Sequence, residues 1–78
     1  MMETRIGDVR RVTERRPGLA EIEVEVEGTT RRAVAYEDVT GLIEVGDRVV
    51  LNTTATTLAL GSGGYDFVIV NLNRPELE

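Results

Sequence analysis

Ser62 and Asp66 are the nearest approach in this chain to a nucleophile with a charged neighbour, and they sit in its oddest stretch, "LGSGGYDFVIVNLN", residues 60–73. A hydroxyl nucleophile needs a base to take its proton. The chain has no His, and all nine of its basic residues are Arg, so no imidazole or amine side chain can serve. The glycines invite a second reading, a cradle for a phosphate. Phosphate loops use converging backbone N–H groups, usually at a helix N-terminus. Here Gly61, Ser62, Gly63 and Gly64 run into "YDFVIV", which reads as strand, and neither mononucleotide nor dinucleotide spacing is present. The four residues are therefore expected to be a tight connection between two strands, at least one glycine having φ > 0. Together with Tyr65 they are also the candidate contact surface for a partner or ligand.

Two further groups carry charge in a pattern. Glu21, Glu23, Glu25 and Glu27 alternate with apolar residues, which puts four carboxylates on one strand face. A flat strand cannot converge the six or more oxygens that calcium takes, so a solvated face neutralised by Arg31 and neighbouring arginines is expected, with no metal and no cofactor. Arg10, Arg11, Arg15 and Arg16 are the candidate nucleic-acid contacts. Base stacking needs aromatic side chains between such cations, and the chain has one Phe and two Tyr. Its net charge of −5 also disfavours nucleic acid, because phosphate contacts supply most non-specific affinity. No catalytic residue emerges.

Composition narrows the rest. With 78 residues, residues 1–76 are read as one small domain, and the closing Leu77-Glu78 as a cloning scar on the N-terminal fragment of a longer protein. A domain of this size buries only roughly 60% of the surface of its unfolded chain. With no Cys, disulfides and thiolate sites are excluded. No apolar run approaches the roughly 20 residues that span a bilayer, and the N-terminus lacks an apolar signal region, so a cytoplasmic location is expected.

The elements that must position these groups are strands. "TRIGDVRRVTERR" reads as a strand with a bulge near Arg10-Arg11, which resets its alternation. Pro17-Gly18 is a turn. "LAEIEVEVEG" alternates strictly, with Ala20, Ile22, Val24 and Val26 on one face, and "RRAVAY" returns after a turn at Gly28-Thr29-Thr30. That three-residue loop would set Val24 opposite Val34, Ile22 opposite Tyr36 and Glu27 against Arg31. Glu37 to Leu42 can form one helical turn. Gly46-Asp47 turns the chain into "RVVLNTTA", with Asp47 accepting N–H bonds inside its own turn. An alternation break follows Thr56, then Leu58 and Leu60, then the final strand. There Tyr65 and Phe67 share one side, with Phe67 expected in the core and Tyr65 partly exposed. Apolar residues on both parities of residues 65–72 mean a strand buried on both faces, or one covered by something else. The fold class is all-β: a small five- to six-stranded barrel, OB-like or SH3-like, with at most one short helical turn.

The stretch "AYEDVTGLIEVGDRVVLNTTATTLALGSGGYDFVIVNL", with the hairpin before it, resembles the N-terminal module of a bacterial family catalogued as a domain of unknown function (DUF3866). Its most specific parts are "GDRVVLNTTA" and "LGSGGYDFV". The resemblance covers roughly Ile6 to Leu72. It implies a longer protein with a larger domain after this module, and a His in the family where Asp66 stands here. It supplies no activity. The expected function is a non-catalytic β-barrel module that packs against, or presents a surface to, a C-terminal region of the same protein or a protein partner. The alternatives are an OB-like nucleic-acid-binding module, and part of an enzyme whose catalytic residues lie beyond this stretch. Oligomeric state is not readable from these residues.

Overall fold

The computed structural model of the chain describes residues 3–54 and 64–73. Among the described residues five strands follow in order: β1 (Thr4–Arg16), β2 (Leu19–Val26), β3 (Thr29–Tyr36), β4 (Arg48–Asn52) and β5 (Tyr65–Asn71), with one helical turn, α1 (Glu37–Thr40), between β3 and β4. They close into a barrel in the order β1-β2-β3-β5-β4. All pairings are antiparallel except the short β3–β5 contact, which is parallel. That order, with the helical turn between β3 and β4, is OB-like rather than SH3-like.

β1 can serve two neighbours because it bends. Thr4 to Asp8 pair with β4, and Asp8 onward pair with β2. The register slips between Val9 and Arg11, where the sequence places a bulge, and again between Val12 and Glu14. A bulge raises local twist and bends its strand, which a closed barrel needs. At the bend Gly7 lies so close to β2 that a Cβ would meet the Glu25 carbonyl oxygen and the Val24 Cγ1 at 2.6 Å each.

The β2–β3 hairpin corrects one sequence expectation. Its turn is two residues long, not three. Glu27 (φ 51°) and Gly28 (φ 82°) both have positive φ, as a type I′ turn requires. Thr29 and Thr30 belong to β3. The register is therefore Val24 to Arg31, Ile22 to Ala33, Glu21 to Val34 and Leu19 to Tyr36, and Arg31 does not face Glu27.

The core is aliphatic. Val9, Ile22, Val24, Ile43, Val49 and Leu51 are all at most 1% exposed, and Ala20 and Ala35 pair across β2 and β3, where small side chains let opposite walls approach. Ile43 enters from the connector after α1. Gly41 (φ 78°) ends that helical turn. The buried Asp47 carboxylate accepts from the Glu44 N–H at 2.9 Å, as its turn position foretells, and from Asn71 Nδ2 at 2.8 Å. Glu37 Oε2 accepts from the Ile43 N–H at 3.1 Å. These bonds hold the connector beneath the barrel.

Candidate functional site

Of the glycine loop, Gly61, Ser62 and Gly63 lie outside the described residues, as do Ala55, Leu58 and Leu60. Gly64 is described. Its φ is 83°, and β5 begins at the next residue. A Cβ on Gly64 would stand 3.2 Å from an Arg32 guanidinium nitrogen.

β5 then places alternate residues on opposite sides, and not in the expected way. Asp66 is the inward residue, 1% exposed. It faces Arg31 of β3 in a bidentate pair, with Nε to Oδ2 at 2.5 Å and Nη2 to Oδ1 at 3.1 Å. The hydrogen bonds to that carboxylate, with its charge, hold the Arg31 pKa above the ordinary guanidinium value, against the opposing effect of burial. Asp66 is thus committed to a buried pair that ties β5 to β3. Val68 follows it inward. A register slip between β4 residues Val50 and Leu51 then brings Asn71 inward instead of Val70.

Tyr65, Phe67 and Ile69 therefore point out, which corrects the expectation that Phe67 belongs to the core. The interior of this narrow barrel is filled by short aliphatic side chains, and the charge on Asp66 is neutralised inside rather than solvated outside. Tyr65 is half-buried, as expected, and shares its side of β5 with Phe67.

The outer surface of β3 and β5 gathers all three aromatic residues of the chain. Register partners stand side by side on one face. Arg32 is beside Tyr65 and Val34 beside Phe67. The Phe67 and Tyr36 rings stack, with centroids 6.4 Å apart and planes 9° apart. The Arg32 guanidinium lies 4.7 Å from the Tyr65 ring centroid, within cation–π range. The Tyr65 hydroxyl reaches over β3 to donate to Glu21 Oε1 of β2 at 3.3 Å. Beyond Phe67 the apolar surface runs on through Ile69 to the outward Val70, Val50 and Ile6, which are register neighbours across β5, β4 and β1. Tyr36 is 50% exposed and Ile6 52%. No pocket opens among the described residues, so this is a face and not a cleft. A stacking partner, a cation or an apolar side chain can lie on it.

The arginines are placed elsewhere. Arg10 pairs with Glu25 at 2.7 Å, and Arg16 pairs with Glu14 at 3.3 Å and Glu21 at 3.0 Å, all on the outside of β1 and β2. Arg15 turns to the connector, where it meets Glu37 at 3.4 Å and donates to the Ile43 carbonyl. Arg11 is exposed opposite Glu23. The Glu row is answered by arginines of β1, not by Arg31. The four candidate nucleic-acid contacts thus do not converge, and three of them are held in ion pairs.

Sequence reasoning missed Arg32 and Val34, and used Tyr36 only as a point of reference. The available signal was the two-sided apolar pattern of β5. Among the described residues, no group of three or more His, Cys, Asp or Glu is placed to hold a metal ion, and no helix is long and apolar enough to cross a membrane.

A family model described as a protein of unknown function (DUF3866) matches residues 32–78. That range includes Tyr36, Tyr65 and Phe67 and leaves out β1 and β2. No curated protein and no solved structure gives a match.

Proposed function

We propose, on the premise that the chain belongs to the DUF3866 family, whose model spans more than half of it, that it is a non-catalytic barrel module. It presents the Tyr36–Tyr65–Phe67 face to a protein partner or to a C-terminal region of the same protein, in the cytoplasm. The observation that carries this reading is the placement of every aromatic side chain on one outer face, while the core is made of aliphatic residues. Exposed contiguous apolar surface marks interaction sites more often than it marks nothing, and Tyr and Phe are enriched in the centres of interfaces. Among the described residues no pocket opens that would enclose a small substrate. Asp66, the acid nearest the glycine loop, is tied to Arg31. The test is ANS binding together with the association state of the isolated chain. The reading expects ANS fluorescence that is lost in Tyr36→Ser. A strictly monomeric chain with no ANS signal would count against it.

One observation favours a second reading. β2, β3 and the adjoining loops are where OB barrels take oligonucleotides, and aromatic rings there can stack with bases. The carboxylates of Glu21, Glu23 and Glu25 stand on the same outer surface, and phosphates would meet them. Titration with labelled single-stranded DNA and RNA at low salt separates the readings. No binding at tens of micromolar, roughly where non-specific affinity shows, dismisses the nucleic-acid reading.

A further inference from the structure

We infer that the barrel opens at one place, the seam between β3 and β5, and that side chains crossing this seam inside and outside the wall are the catch that holds it shut. Backbone pairing is shortest there. β2 and β3 stay in register from Leu19 against Tyr36 to Val26 against Thr29, whereas β3 and β5 are in register only over Arg32–Val34 and Tyr65–Phe67. That short pairing is also the parallel one, slightly less stable per residue than an antiparallel ladder. From Phe67 to Asn71, β5 runs in register with β4. By its backbone β5 therefore belongs to β4, and the barrel divides where β5 meets β3.

Opening this seam also uncovers the least apolar surface. β3 gives the core only Ala33 and Ala35, and β5 gives it Val68, while β2 gives it Ile22, Val24 and Val26 besides Ala20. The cost of opening scales with the apolar area exposed. Behind the seam lies the Arg31–Asp66 pair. Two charges released from the interior together regain hydration, which offsets most of their lost attraction. Against these weak points stand side-chain contacts. Inside, Arg31 holds Asp66 with two hydrogen bonds. Outside, the Arg32 guanidinium lies on the Tyr65 ring, and Tyr36 stacks on Phe67. The Tyr65 hydroxyl ties β5 across β3 to Glu21 of β2. Every aromatic residue of the chain thus bridges the two lips. Other ion pairs between strands, such as Arg10–Glu25 and Arg48–Asp8, are exposed and lie on longer ladders, where such pairs contribute little. The inference needs no docked partner, though anything lying on the aromatic face would cover both lips and hold the seam shut.

Native-state amide hydrogen exchange of the intact chain, followed by NMR over a series of low urea concentrations, tests this. The N–H groups of Arg32–Val34 and Tyr65–Phe67 that cross the seam are expected to exchange at least about tenfold faster than those joining β2 to its neighbours between Ile22 and Val24. Their exchange should also depend less on urea, since a partial opening exposes less surface. Two mild variants separate the junctions. Phe67→Ser removes the stack and is expected to speed exchange at the seam about fivefold, the size of one aromatic pair. Ile22→Val loosens the core under β2 and is expected to speed exchange between β1, β2 and β3 by about as much. It should leave the seam rate unchanged, because that packing persists when the seam is open. Equal rates and equal urea dependence at the seam and in β2 would mean that the barrel opens only by unfolding as a whole, and overturn the proposal. A seam rate that Phe67→Ser leaves unchanged overturns the catch. Faster exchange at the β1–β4 junction than at the seam places the weak point elsewhere and overturns the proposal as well.

Discussion

The outside of β1–β2 and the outside of β3–β5 obey the same pleat and cover the same aliphatic core, yet they end differently. On β1–β2, outward positions are charged, and Arg10, Arg16, Glu14, Glu21 and Glu25 satisfy one another in a lattice open to water. On β3–β5, outward positions are Tyr36, Val34, Tyr65, Phe67 and Ile69, with one charge, Arg32, laid over the Tyr65 ring and Asp66 turned in to meet Arg31. The first surface solves the problem of facing solvent. The second leaves apolar rings where solvent is, in a chain whose small core could have used them. The difference teaches that the core and the proposed docking face lie on opposite parities of the same strands.

That contrast can be broken from within. Asp66→Ala removes the inward anchor of β5 and leaves Arg31 partly buried without its carboxylate. Loss of one partner of a buried pair costs about 3–5 kcal/mol, and since Arg31 keeps some solvent contact, about 3 kcal/mol is expected. Urea denaturation measures it, and the Tyr65 and Phe67 resonances should move as well. Gly7→Ala acts on the other side, where β1 bends onto β2. With backbone only 2.6 Å from the new methyl, a loss of about 2 kcal/mol is expected from overpacking, with the ANS signal of the folded protein unchanged.

The smaller effects sharpen the comparison. Phe67→Ser should cost no more than about 1 kcal/mol, because the ring is only partly covered, yet it should remove most ANS binding. Arg10→Ala, which breaks an ion pair on the charged face, should change stability by less than about 0.5 kcal/mol and leave ANS binding as it was. If Arg10→Ala lowered ANS binding as much as Phe67→Ser, the two surfaces would not be distinct.

Much of the fold was legible because it rests on local signals. Strict alternation over residues 20–27 marks β2, the doubled arginines mark the β1 bulge, Gly46-Asp47 marks the entry to β4, and residues 37–40 form the expected helical turn. The β2–β3 register was not legible, because a Glu at φ 51° occupies a turn position where Asn or Gly would have announced it. Nor was the direction of β5. Its charged residue looked like a solvent-facing one, and the arginine that neutralises it inside the barrel lies 35 residues earlier. The candidate face fared worst. Tyr36, Arg32 and Tyr65 come together only through the parallel β3–β5 pairing, a long-range event that no local pattern encodes. The glycine loop drew attention by composition, whereas Tyr36, Tyr65 and Phe67 make up the candidate face.

The central claim is that the aromatic rings of this chain stand outside its core. The most direct test is the paramagnetic broadening of side-chain NMR signals by a soluble gadolinium chelate in dilute solution. The account predicts strong broadening of the Tyr36 and Phe67 ring protons, while the methyls of Ile22, Val24 and Leu51 stay sharp. Rings as protected as those methyls would contradict it and return Phe67 to the core.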